Sequence, residues 1–372
     1  MNGVFMISTF ALALTITFVG DAATMSTFAG TGMKGHTGDG GLASKATLSE
    51  PFHCELDGKG HLYIAEATNH CIRKVHLNTG IITTVAGNGK KGYTGDGGKA
   101  TDATFNEPYA VVVDKDDNLF IVDRLNAVIR KVDGKTGVVT TVAGNGKKDY
   151  AGDGGLATMA SMREPNDCCF DGKGGLLIAD VADWRIRRLD LSSGTITTFA
   201  GTGKAKIALK PKIDRGKCGD NGPAEKAIVV GARAVCTDGK GNTYICEREG
   251  SAVRKVDAKG IITTIAGTGE RGYSGDKGDA LKAVFDGPKG IRCDSAGNIF
   301  VVDCENHCIR KIDVKTMIVN TVAGGRKGKN DGVATEAGMD RPHGCIIAAD
   351  GTIYIADTNN HKVRVVPMRG ER

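Results

Sequence analysis

Between residues 51 and 86 the chain is built from four short runs rich in β-branched and apolar residues, HCELD, HLYIAE, CIRKVH and IITTVAG, with GKG, ATNH and LNTG between them. Apolar residues recur at a period near two and each run ends at a turn signal, which predicts four antiparallel strands joined by tight hairpins. The same succession then returns. A GDGG string or a relative of it opens each copy, with its aspartate at Asp39, Asp96, Asp153, Asp220, Asp276 and Asp331, spaced 57, 57, 67, 56 and 55 residues apart. Six copies in the same order predict a repeat architecture in which each unit is one four-stranded blade.

The sixth copy breaks off after its third strand, HKVRVVPM, and the strand it lacks stands at the other end of the chain as MSTFAG, Met25 to Gly30. Pairing the two closes the ring and removes the free sheet edges. The expected fold is therefore all-β, a six-bladed β-propeller of four-stranded antiparallel blades closed by the N-terminal strand. Composition agrees: 54 glycines against 8 prolines, without a three-residue period, suit a turn-rich β protein. A net charge of +6 with mixed signs imposes no single-sign field.

Ahead of the repeats, the uncharged run from Val4 to Gly20 is followed by small residues at Ala22 and Ala23. It reads as a signal peptide over residues 1–22, leaving residues 23–372 as one propeller that is secreted or periplasmic and makes no stable membrane insertion after cleavage. A monomer is expected.

At this point a resemblance is visible. AGNGKKGYTGDGGKATDATFNEPYAVVVDKDDNLFIVD followed by VIRKVD, together with NHCIRKVH and NHCIRKID, resembles bacterial NHL-repeat propellers over about residues 25–366. The resemblance implies the fold and leaves the activity open, because that scaffold carries many functions.

The repeats supply an internal control, since what all six share is architecture and what one blade changes at a central position is a candidate for function. A glutamate or aspartate ending the second strand and an arginine in the third, seven residues apart in every copy from Glu66/Arg73 to Asp357/Arg364, are assigned to architecture. The first residue of each innermost strand after the EP-type pair differs in every blade: Phe52, Tyr109, Asn166, Arg233, Lys289 and His343, followed by His53, Ala110, Asp167, Ala234, Gly290 and Gly344. The neighbouring loops add Arg124, Arg248 and Trp184, the single tryptophan, as a wall.

Cations at the mouth suit an anionic ligand, because the arginine fork donates two parallel hydrogen bonds to a carboxylate or phosphate. Tyr109, Arg124, Asn166, Trp184, Arg233, Arg248 and Lys289 are thus candidate ligand-binding residues, with a small polar or anionic ligand or a partner segment as the partner. His53, Asp167 and His343 are the candidates for proton transfer and form a possible facial set for zinc or iron.

The propeller also resembles, more distantly, gluconolactonase and senescence-marker enzymes and peptidyl-hydroxyglycine lyases, which implies a lactonase-like or metal-assisted lyase or hydrolase as the alternative. Calcium is disfavoured, because Arg233 and Lys289 stand where oxygen ligands are needed. A structural protein-interaction module is the third class. Nucleic acid is not expected, with aromatic residues at 5% and mixed charge.

Cys54, Cys168 and Cys345 read as buried thiols in aliphatic positions, Cys304 and Cys308 as a possible local bridge, and Cys168–Cys169 as unexplained. The linker between copies three and four carries a basic insertion over residues 204–217, expected at the same mouth.

Overall fold

The computed structural model describes residues 22–203, 207 and 213–367. The region expected to be a signal peptide, and Lys204, Lys206, Lys210 and Lys212 of the insertion, lie outside the described residues.

The period of the sequence becomes six sheets arranged around one axis. In blade 1 the strands Pro51–Leu56, His61–Glu66, Cys71–His76 and Ile82–Ala86 pair in order from the axis outward. Blade 6 has only Gly344–Ile347, Ile353–Asp357 and Lys362–Val366 from its own copy, and Thr24–Ala29 completes it, pairing antiparallel with Lys362–Val366 through Ser26 opposite Val365. The apolar core lies between blades. One cluster joins Val122 and Ile129 of blade 2 to Cys168 and Ile178 of blade 3, and equivalent clusters sit at the other contacts.

Each blade is fastened by the arginine of its third strand. These six side chains, Arg73 to Arg364, are fully buried, and each donates through Nη2 to the aspartate of the GDGG string at 2.5–2.7 Å. The second oxygen of that aspartate accepts the N–H of an outer-strand threonine, as in Thr84, Thr141, Thr198 and Thr264, so the string is pinned to its blade's edge.

The acid ending the second strand lies within 4 Å of the arginine in five blades, for example Arg254–Glu247 at 2.9 Å and Arg364–Asp357 at 3.0 Å. It is a diagonal rather than an opposed pair, because Arg73 faces Ile64 and Glu66 faces Cys71 across the ladder. In blade 3 Asp180 is instead held by the N–H groups of Arg163 and Glu164. In all six blades this acid also accepts a backbone N–H from the segment that leads into the innermost strand, as from Ser49, Asn106, Arg163, Val230, Asp286 and Asp340. The clamp therefore fixes where that strand begins.

His70 and His307 serve the scaffold. Each adopts a left-handed backbone and accepts an N–H from the next blade at its Nδ1, from Glu107 at 3.2 Å and Arg341 at 3.1 Å.

Removing one clamp leaves the buried acid of the second strand, Asp123 in blade 2, without its counter-charge, which costs about 3–5 kcal/mol. Arg130→Ala is expected to lower the free energy of unfolding in urea by that amount, and a loss below about 1 kcal/mol would show that the arginine is not holding the blade.

Candidate site at the mouth of the axis

Four of the innermost strands carry a bulge at their second residue. In blade 1 Pro51 pairs with Glu66 and His53 with Ala65, which leaves Phe52 between them, and the same slip occurs at Tyr109, Asn166 and Arg233. A bulge turns two consecutive side chains toward one side of the strand. Residues 52 and 53, or 166 and 167, can therefore both face the axis. In blade 6 the second position must be small: a Cβ on Gly344 would stand 2.8 Å from the Phe52 carbonyl oxygen of the adjacent blade.

The upper layer is a closed floor. Phe52 stacks on His343 with ring centroids 4.5 Å apart and lies 4.6 Å from Tyr109. Arg233 sits over the Tyr109 ring at 4.8 Å, donates to the Tyr109 hydroxyl, and donates to Asn166 Oδ1 at 3.0 Å. Lys289 Nζ donates to His343 Nε2 at 2.8 Å, while His343 Nδ1 donates to the Arg341 carbonyl at 2.9 Å. That pair of bonds assigns the imidazole as neutral, in keeping with burial and the Lys289 and Arg233 charges, which hold its pKa well below the usual histidine range. Burial pulls Lys289 down to about 8. The gap among these groups is about 10 Å³, room for about one water molecule.

One layer deeper lies a residue that the sequence reading missed. Arg292 grips Asp167 with two bonds, Nη1 to Oδ2 at 3.0 Å and Nη2 to Oδ1 at 3.2 Å, and its Nη2 also donates to His53 Nε2. Asp167 accepts the Cys168 and Val235 N–H groups as well. Burial drives His53 down to about 3, with Arg292 acting the same way. The signal for Arg292 was present: at the fifth position of the innermost strand the copies read Glu55, Val112, Cys169, Cys236, Arg292 and Ile346, a second asymmetric ring.

This geometry corrects the proposed metal set. His53 and Asp167 do meet, at 3.7 Å, but the Arg292 guanidinium is bonded to both, and His343 is paired with Lys289 instead. Among the described residues no group of three histidine, cysteine or carboxylate side chains is arranged to hold a metal ion.

Arg124 is drawn to the mouth but is engaged by Glu107 at 2.5 Å and Glu164 at 2.6 Å. Arg248 is paired with Glu249 at 2.8 Å. Trp184 does not wall the pocket: it is buried against Ile213, Cys218 and Val230, beneath the end of the insertion, whose Arg215 binds Glu247. Cys304 and Cys308 are both free thiols. Cys168 belongs to the core between blades 2 and 3, whereas Cys169 is half-buried.

Two cations distinguish the floor. Among the described residues Arg233 has no carboxylate within ion-pair distance, and Lys289 has only Glu305 at 3.9 Å, a group already held by Arg341 at 2.7 Å. Three buried nitrogens of the same region, Arg233 Nε, Asn166 Nδ2 and His53 Nδ1, have no hydrogen-bond partner.

Comparison with known proteins places the geometry in context. The Teneurin NHL domain model matches residues 88–149 and 208–274, and the NHL repeat model matches residues 285–312. The chain is 28% identical over 83% of its length to Protein SUPPRESSOR OF QUENCHING 1, chloroplastic, of Arabidopsis thaliana, and 28% identical over 82% of its length to NHL repeat-containing protein 2 of Homo sapiens. It spans 29% and 45% of those two proteins. In structure it resembles an auxiliary nutrient binding protein from Bacteroides ovatus, with a TM-score of 0.65 at 14% identity, covering 93% of this chain and 76% of that one. At that identity the likeness is one of fold.

Arg292→Ala would strand the buried Asp167 charge, so the variant is expected to lose about 3–5 kcal/mol of stability at neutral pH. Chemical denaturation checks this, and an unchanged midpoint would mean that the floor is not held by this pair.

Proposed function

Starting from the fact that the chain is an NHL-repeat six-bladed propeller, we propose that it binds a small polar ligand through an anionic group, a carboxylate or phosphate, seated on the floor of the axial mouth. The observation that carries the reading is the pair of buried cations, Arg233 and Lys289, whose one nearby carboxylate is committed elsewhere. A buried charge calls for a partner, and an incoming anion supplies it. The unpartnered nitrogens on Arg233, Asn166 and His53 are all donors when His53 Nε2 accepts from Arg292, so the lining is matched to an acceptor-rich group. With room for about one water in the floor itself, the ligand rests on it from the mouth side and exchanges for the Lys289–His343 bond.

A small-ligand role is in keeping with that of the similarly folded auxiliary nutrient binding protein from Bacteroides ovatus. The hydrolase or lyase reading has less support, because each candidate base is occupied: His343 Nε2 by Lys289, His53 Nε2 by Arg292, and Asp167 by Arg292 and two N–H groups. A purely structural role leaves the two cations unexplained.

The run Val4–Gly20 supports an exported protein, and N-terminal sequencing of the mature chain is expected to begin at Ala23. A chain that retains residues 1–22 would overturn export by cleavage.

Titration calorimetry against a panel of small carboxylates and phosphate esters tests the site. Arg233→Ala and Lys289→Ala are each expected to weaken binding on the order of tenfold or more, the value of one charge-assisted hydrogen bond. Since Lys289 loses its proton near pH 8, affinity should hold below that pH and fall as pH rises through it. Binding that survives both substitutions would remove the reading.

A further inference from the structure

Past Arg292 the innermost strands of blades 4 and 5 carry thiols. Cys236, in Ala232–Thr237, has its Sγ 3.5 Å from Cys293 Sγ, in Gly290–Cys293. Cys169 of blade 3 lies near enough to act electrostatically on both. All three are free. Cys169 and Cys293 are half-buried, and Cys236 is 4% exposed.

Packing alone does not account for this pair. Cys54, Cys168 and Cys345 each replace an aliphatic residue in a core between blades, where a thiol serves as a small apolar group. Cys236 and Cys293 also border a core, the one between blades 4 and 5, but they come from its two sides and meet sulfur to sulfur, the one such contact among the described residues. A disulfide needs its sulfurs about 2.05 Å apart. The two sulfurs must close by roughly 1.5 Å, a movement within reach of side-chain rotation when no other group stands between them.

We propose that Cys236 and Cys293 form a reversible dithiol/disulfide site that locks blade 4 to blade 5, with a low-molecular-weight disulfide as the oxidant. Cys293 is the more exposed and reacts first. Its thiol gives up a proton, and the thiolate attacks one sulfur of the external disulfide, forming a mixed disulfide and expelling the other half as a thiolate. Cys236 then loses its proton and attacks Cys293 Sγ, which expels the second half. Two S–H bonds become one S–S bond, one external disulfide is reduced to two thiols, and the two protons end on the released thiols. Burial holds the Cys236 thiol up and Arg292 opposes it.

The bridge would join residues 57 apart in sequence. It lies three residues after Arg233 on one strand and four after Lys289 on the other, so it would also fix the spacing of those cations. The proposal does not depend on what binds at the mouth.

The experiment uses the full chain under native conditions with oxidised glutathione, followed by intact mass and peptide mapping without reduction. The expected product has lost two hydrogen atoms, shows a Cys236–Cys293 peptide, reverts with dithiothreitol, and melts on the order of 5 °C higher than the reduced protein. Cys236→Ser should stop at a single glutathione adduct on Cys293. A wild-type protein that stops at that adduct, bridges through Cys169, or remains fully reduced would overturn the assignment.

Discussion

Six buried arginines hold this molecule together. Each is a charge taken entirely out of water, an arrangement that persists only when several acceptors converge on it. Here the acceptors come from parts of the chain far apart in sequence, the GDGG aspartate, the acid closing the second strand, and carbonyls such as Thr37 in blade 1 and Val284 in blade 5. A blade cannot slide against its connecting segment without breaking these bonds together. Because the same acid receives the N–H of the residue that leads into the axis, the scaffold and the mouth share one mechanical origin.

That shared origin explains how chemical variety is tolerated at the centre. The strand starts are positioned from behind by a constant device, and the bulge turns whatever side chain occurs there toward the axis. Blades 1 and 2 supply aromatic rings, blades 3 to 5 an amide and two cations, and blade 6 a neutral imidazole. The outcome is two stacked polar layers with different characters. The deeper one, Asp167 with Arg292 and His53, is internally satisfied save for His53 Nδ1, and the upper one retains positive charge.

The fold was legible because a repeated period constrains every blade at once, and the incomplete sixth copy pointed to Met25–Gly30 as its missing strand, found as Thr24–Ala29. The upper layer was legible for the same reason, since Asn166, Arg233, Lys289 and His343 stand in one register. Arg292 escaped because the mouth was sought only at the second and third positions of each innermost strand, and it stands at the fifth. Arg124 and Arg248 were read as free cations, but Glu249 holds Arg248 and Glu164 reaches Arg124 from the next blade, a contact that no single copy reveals. Trp184 misled because the end of the insertion, which no other copy has, supplies Ile213 and Cys218 to cover its ring. The partnership of each arginine with the GDGG aspartate, 34 residues upstream in blade 1, was hidden by distance along the chain.

Closure by the first strand has a consequence for biosynthesis. Thr27 meets Asp331 across 304 residues, so Thr24–Ala29 waits without its blade until Lys362–Val366 has left the ribosome. Until then Thr24–Ala29 is an unpaired edge, and the nascent propeller is an open arc rather than a ring. At high local concentration the vacant place in one arc accepts the leading strand of another, a domain exchange that needs no new contact, only the wrong donor.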